Sequence, residues 1–210
     1  MKTRTALSIV VAFALIVTAA GCQDGAKAIQ RQQQYVLDVE RPQSLPAVAE
    51  GADVLRVRRF TIATQFETYE LVYRRSDLVY ESDFYNRWFA PPASLITDKT
   101  RQWISESGVF AHVLDSFSAA DYNYILEGSV LALYGDYRQR ENPSAIVHIQ
   151  FTLIDEHRLR DSVVFQKKYR ASAQIERPNA SALVHGFNAC LAEIFTSLET
   201  DLAALSDNQQ

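Results

Sequence analysis

Several stretches of the chain alternate apolar and polar residues at the period of two that sets one side of a strand against a core. Residues 52–60 place Val54, Arg56 and Arg58 on one face and Leu55, Val57 and Arg59 on the other. Residues 68–74 set Tyr69, Leu71 and Tyr73 against Glu70, Val72 and Arg74, and residues 78–84 set Leu78, Tyr80, Ser82 and Phe84 against Val79, Glu81 and Asp83. These two runs predict a hairpin about Ser76-Asp77. Facing Tyr73 with Tyr80 and Tyr69 with Phe84 is favourable, but the same register opposes Glu70 to Asp83, so the register stays open. Further along, residues 122–137 are rich in Tyr, Ile, Val and Leu. Residues 145–155 put Ala145, Val147, Ile149, Phe151 and Leu153 on one face, with His148, Gln150 and Thr152 on the other. Residues 162–172 alternate Val163, Phe165, Tyr169 and Ala171 with Gln166, Lys168 and Arg170. These last three runs predict an antiparallel meander.

Helical spacing enters twice. After Pro91-Pro92, which suit the first turn of a helix, come Leu95, Ile96, Lys99 and Trp103, and Gly108 is a stop signal. At the end of the chain Leu183, Phe187, Leu191, Ile194, Leu198 and Leu202 form one stripe of a long amphipathic helix, with Asn179 as its candidate N-cap. The fold class predicted is α+β: a largely antiparallel or mixed sheet packed by two main helices, the longer one C-terminal. Residues 35–205 form the single domain in this reading, and residues 206–210 a tail. Residues 41–51, with Pro42 and Pro46, are read as a loop.

The N-terminus follows another pattern. Lys2 and Arg4 precede an uncharged apolar run from Ala6 to Ala20, shorter than the ~20 apolar residues a comfortable spanning helix needs. Small residues Ala19, Ala20 and Gly21 then lead into Cys22. That order predicts an export signal over residues 1–21, cleaved before Cys22. The run Ala19-Ala20-Gly21-Cys22 resembles the lipobox of bacterial lipoproteins, departing from it at Ala19, where Leu, Val or Ile is usual; it implies an acylated Cys22. The polar stretch that follows, Gln23 to Gln34, has too little apolar surface to fold alone and is read, with Cys22, as a lipid-anchored tether over residues 22–34. Gln23 and Asp24 are the candidate sorting residues. Inner-membrane retention in enteric bacteria resembles a rule that wants Asp directly after the cysteine, so Gln23 points to the outer membrane, with the domain on its periplasmic face.

Charge and cysteine content narrow the partners. The formal net charge is −4, and losing Lys2 and Arg4 with the signal makes the mature chain more negative still. A nucleic-acid backbone demands the opposite sign, and broad adhesion to anionic lipid heads is disfavoured too, which leaves the anchor to make the membrane contact. The remaining cysteine, Cys190, has no intramolecular partner once Cys22 is acylated and is expected in the core. No glycine-rich phosphate loop, His-Glu-x-x-His, Cys-x-x-Cys or Gly-x-Ser-x-Gly occurs, and His112, His148, His157 and His185 have no short ligand spacing. His148 reads as a polar-face strand residue. Asp121, Glu127, Asp136 and Glu141 read as solvated carboxylates. Arg56, Arg58 and Arg59 read either as a docking patch or, at lower cost, as partners across strands for Glu67, Glu70 or Glu81. No catalytic residue, metal or cofactor is assigned.

The most distinctive stretch is residues 71–95, in which Tyr85, Trp88 and Phe89 stand directly before Pro91 and Pro92. Two readings remain open for these five residues: large rings sealing the corner where sheet passes into helix, or an exposed aromatic surface for a partner or an acyl chain. Taken with the candidate lipidated cysteine, Tyr35-Val36-Leu37-Asp38, Leu71-Val72-Tyr73-Arg74, Tyr85-Asn86-Arg87-Trp88, Leu95, the strand opened by Asp121-Tyr122 and the closing Ala/Leu-rich helix, this segment resembles the auxiliary lipoproteins of ABC-type and Mce-type transport systems (PqiC-like). The resemblance implies a non-enzymatic lipoprotein of a system moving lipids or other hydrophobic molecules between two membranes. It also implies a periplasmic Mce-domain partner, with a permease and ATPase in ABC versions, and a homo-oligomer. An envelope scaffold docking on cell-wall synthesis or secretion machinery is the alternative, and a periplasmic hydrolase a third class.

Overall fold

The computed structural model describes residues 31–43, 53–139, 141–158 and 162–207, with side chains to residue 205. The signal, Cys22, Gln23, Asp24 and the loop beyond residue 43 lie outside the described residues. From Gln32 onward the chain forms one compact unit.

The meander sits at the centre. Strands β7 (Tyr124–Asp136), β8 (Ser144–Asp155) and β9 (Val163–Gln174) pair antiparallel in sequence order. The other edge of β7 is lined end to end by three short strands running parallel to it. These are β2 (Val54–Val57) beside Tyr124–Leu126, β3 (Thr61–Ile62) beside Ser129–Val130, and β4 (Glu70–Arg74) beside Gly135–Asp136. Farther out, β6 (His112–Leu114) pairs parallel with β2, β5 (Tyr80–Trp88) pairs antiparallel with β4, and β1 (Gln33–Tyr35) pairs parallel with β5. The fold is α+β with a mixed sheet. The first strand begins at Gln33, two residues before Tyr35, where the hydrophobic pattern places it.

Helix α1 (Pro92–Ser107) starts with Pro92 at a position that needs no N–H and stops at Gly108, whose φ of 74° falls in the left-handed region that glycine enters without penalty. Helix α2 (Ala180–Asp207) starts under the Asn179 carboxamide, which accepts the Ala182 N–H at 2.8 Å, and runs past residue 205 to Asp207. Its stripe from Leu183 to Leu202 is buried to 2% exposure or less, against Ala145, Val147, Ile149, Phe151 and Leu153 of β8 and the inner face of β9. Each such Leu, Ile or Phe contributes ~1.5–3 kcal/mol. Gly186 lets the helix come close: a Cβ there would lie 2.7 Å from that of Ala145. Cys190 is buried as expected; its thiol faces the Ala145 carbonyl at 3.6 Å, and burial pushes its pKa up to about 12. No helix among the described residues is long and apolar enough to cross a membrane.

A smaller apolar cluster, Phe66, Val72, Tyr134 and Ile146, occupies the opposite face of the sheet under the short 3-10 turn Thr64–Phe66.

The predicted hairpin forms, but one residue out of the aromatic register. Arg74 faces Tyr80 and Leu71 faces Asp83. The physical reason is that the two tyrosines go to opposite sides. Tyr73 enters the main core edge-on to Tyr137 at 5.2 Å, while Tyr80 meets Phe66 and Tyr134 at 6.0 and 5.5 Å. The expected arginine pairing is corrected as well. Arg58 bonds Glu127 at 2.6 Å, while Arg56 covers the Tyr122 ring at 3.7 Å and donates to the Ser118 and Ala120 carbonyls. Glu70 and Glu81 pair with Arg87 and Arg75 instead, because β4 lies against β5 rather than β2.

Candidate functional site

The distinctive segment folds around Asp83. Its Oδ1 accepts the backbone N–H groups of Tyr85 at 3.0 Å and Asn86 at 3.1 Å, and its Oδ2 accepts the Asn86 amide at 2.9 Å and the Tyr73 hydroxyl at 2.8 Å. This side-chain turn breaks the β4–β5 ladder: the pairing jumps from Leu71↔Asp83 to Glu70↔Arg87, leaving residues 84–86 as a bulge. The one-residue slip already parts Glu70 from Asp83, and the jump gives Glu70 a cation, Arg87, at 3.9 Å. Burial raises the Asp83 pKa, but the hydrogen bonds from Asn86, Tyr73 and the two backbone amides outweigh it and hold the carboxyl below its usual range. The same environment pushes the Tyr73 hydroxyl up, chiefly by burial.

The bulge decides which aromatics face solvent. In a regular strand neighbours point to opposite sides, but here Phe84 and Tyr85 are both exposed, at 67% and 40%, with their rings edge-on at 5.3 Å. Past the bulge alternation resumes. Trp88 goes in and packs against Phe187 of α2 at 5.7 Å, while Phe89 is 66% exposed. The segment divides: Trp88 and Pro92 are buried and seal the corner, whereas Tyr85 and Phe89 face solvent. Pro91 is exposed, because it precedes the helix as its cap and its work is done by its carbonyl, which accepts the N–H groups of Ser94 and Leu95 at 2.9 and 3.1 Å. Strand β1 is pinned on the same flank, where the Phe89 N–H reaches the Tyr35 carbonyl at 2.8 Å, and Val36 adds a half-exposed side chain.

Beside this flank a cleft of about 510 Å³ opens between the start of β4 and the first turn of α1. Phe60, Ile62, Tyr69, Pro91 and Pro92 wall it, and Arg59 and Glu67 stand at its rim. A second cleft, about 580 Å³ and polar, lies at the far end of β7 between the hairpin loop and the β7–β8 turn. There Arg138 is held to Asp136 and Asp77 at 2.8 Å each. The first suits a small apolar or amphipathic group; in the second the charges already satisfy one another.

The other candidates are surface or structural. His148 stands on the outer face of β8 opposite Arg170, and burial, then Arg170 and Lys168, lower its pKa. Among the described residues no three His, Cys, Asp or Glu gather as a metal site.

Two features escaped the sequence reading. Asp83, followed by Asn86, is a side-chain turn signal hidden inside an alternating run. The Glu199 carboxylate of α2 is buried and bound by Arg41 through two bonds of 2.9 and 2.7 Å and by the Trp103 indole at 2.8 Å, tying the N-terminal segment to both helices. Nothing local to Arg41 announces a partner so far along the chain.

Known proteins place this architecture. A crystal structure of protein XCC0632 from Xanthomonas campestris, of the DUF330 family, is 19% identical, covering 85% of this chain and 99% of that one, with a TM-score of 0.73. An uncharacterized protein of known crystal structure is 14% identical over 80% of this chain and 99% of its own, with a TM-score of 0.61. The hypothetical protein CT253 from Chlamydia trachomatis follows at 11% identity, 73% and 99% coverage and a TM-score of 0.50. At such identities the likeness shows the fold alone. No curated protein matches the sequence. The model of the family described as "ABC-type transport auxiliary lipoprotein component" matches residues 35–198, which takes in the Asp83 bulge, both clefts and the first 19 of the 28 residues of α2. The chain belongs to that family of ABC-type transport auxiliary lipoprotein components.

Proposed function

We propose that this protein is a non-enzymatic, outer-membrane-anchored component of an ABC/Mce-type system that moves lipids or other hydrophobic molecules between the two membranes. The observation that carries this reading is the family match over residues 35–198. Residues 1–21 act as the signal, Cys22 carries the lipid, Gln23 and Asp24 direct sorting, and residues 35–205 form the working domain. The exposed aromatics Phe84, Tyr85 and Phe89 are the docking surface for a periplasmic Mce-domain protein, since solvent-facing rings on a strand held rigid by the Asp83 turn suit a preformed contact. Copies of the chain associate with one another, and the outer edge of β9, unpaired among the described residues, supports this. A permease and an ATPase complete the system at the other membrane.

Three measurements test it. Cys22→Ala releases the protein from membranes; retention after a high-salt wash would refute the anchor. Density-gradient fractionation finds the wild type with the outer membrane, and a wholly inner-membrane protein would overturn the sorting reading. Pull-down of the intact lipoprotein recovers an Mce-domain protein, and Phe84→Asp with Phe89→Asp abolishes that recovery without changing fractionation.

A further inference from the structure

The loop of the β4–β5 hairpin is unlike the other turns of the sheet. Its apex carries Leu78, 92% exposed, and Val79, 49% exposed, where the β7–β8 turn carries Arg138, Gln139, Glu141 and Asn142. A leucine at the apex of a hairpin contributes nothing to the core. The path of the N-terminal segment indicates what it meets. Strand β1 runs parallel to β5, with Gln33 beside Asn86, and the Gln32 side chain donates to the Phe84 carbonyl at 3.1 Å. The N-terminal end of β1 therefore points along β5 toward the hairpin apex, not away from it.

We infer that the hairpin apex, Leu78 and Val79, is a second membrane contact, seated in the surface of the same bilayer that holds the lipid on Cys22. The inference rests on the lipid anchor proposed above. Lengths allow it: the six residue steps from Phe84 back to Leu78 span ~20 Å, and the ten residue steps from Cys22 to Gln32 reach up to ~35 Å when extended. Acyl chains and hairpin apex therefore fit one plane with chain to spare. Had β1 run antiparallel to β5, the apex would point away from the membrane.

The surrounding charges define what kind of surface fits. Arg75 is paired with Glu81 at 2.6 Å, Arg138 with Asp77 and Asp136 at 2.8 Å, and Arg74 with Asp77 at 3.6 Å. Three arginines are matched by three carboxylates around an apolar apex. Such an end does not depend on anionic lipid, in keeping with the acidic chain; it inserts shallowly by its apolar side chains among headgroups of either charge. Contact at two points, anchor and apex, fixes the tilt of the sheet over the membrane and so the direction in which Phe84, Tyr85 and Phe89 are presented to a partner.

The test uses the mature lipidated protein bound to vesicles of phosphatidylethanolamine with a minor fraction of phosphatidylglycerol. Leu78→Cys is labelled with an environment-sensitive dye. Phe117→Cys serves as a control, since Phe117 is equally exposed in the loop after β6, the strand that pairs with β2 beside the opposite end of β7. Cys190 is buried, so it does not compete for label. On vesicles the dye at position 78 shifts to the blue and loses iodide quenching, at low and high salt alike, while the dye at 117 does neither. If the protein floats with vesicles but position 78 stays as quenchable as 117, the seat is overturned and the anchor stands. If position 78 becomes shielded in detergent as protein concentration rises, the apex binds a second copy, and the proposal is overturned in favour of self-association. Dye taken up by the unmutated protein at Cys22, with no flotation, overturns the anchor and the seat together.

Discussion

Beneath α2, Leu183, Leu191 and Leu198 are 0% exposed; on the flank of β5, Phe84 and Phe89 are 67% and 66% exposed, and Leu78 at its head is 92% exposed. Both regions spend large apolar side chains, the first on a regular helix and the second on a bulge, a strand end and a hairpin loop. The difference lies in what the neighbouring strand provides. β8 offers α2 a face of small and branched side chains at every second residue, so each member of the stripe finds a hole. β5 lies near the edge of the sheet, is bulged by Asp83, and has only the three residues of β1 on its outer side. The first arrangement lowers the free energy of the fold; the second leaves apolar area that the fold itself does not cover.

Mutations that exchange these roles test the contrast. Leu191→Asp puts an unpartnered carboxylate into the packed stripe and is expected to cost on the order of 4 kcal/mol or more, read as a collapse of the urea midpoint; an unchanged melting temperature would mean that the stripe faces a partner instead. Arg41→Ala leaves Glu199 buried without its cation and is expected to cost about 3 kcal/mol, seen as a lower melting temperature with a native spectrum. Asp83→Asn is the intermediate case, at about 1–2 kcal/mol, since it weakens acceptors for buried donors. Because the folded Asp83 pKa lies below its unfolded value, the stability it contributes is fully present above the unfolded value of ~3.9 and fades as pH falls through the folded one. Wild type should therefore lose more stability than Asp83→Asn when titrated from pH ~5 to ~2, and parallel curves would show that the carboxylate does not hold the bulge. Phe84→Ser and Phe89→Ser are expected to change stability by less than ~0.5 kcal/mol, while envelope permeability to hydrophobic agents rises toward that of a deletion strain. A large loss of stability in either would show that the flank is core after all.

The parts of this molecule legible in the sequence are those whose determinants are local. The meander shows in its alternation, α2 in a stripe whose every member is buried, and the helix ends at Asn179 and Gly108 in cap chemistry. The rest needed contacts across long separations. Nothing in residues 54–74 tells that β2, β3 and β4 share one edge of β7. The hairpin sits one residue from the aromatic register because Tyr80 is captured by Phe66 and Tyr134, a cluster outside the two strands. The aromatic segment could not be divided from its pattern alone, since the bulge shifts the alternation between Asp83 and Arg87 and so sends Trp88 inward and Phe89 out. Arg41 and Glu199 lie 158 positions apart.

The edge of β7 has a consequence for how the chain comes to be folded at all. β2, β3 and β4 are synthesised before the strand that gathers them, and as short strands they have little to hold them until residues 124–136 arrive. Closing those loops early gains nothing, so the three strands are expected to take their places along β7 only once it is present. Under the export proposed above, that delay is an advantage: the part that leads emerges without a stable fold to jam the passage, and the sheet assembles in one late step, from the middle outward.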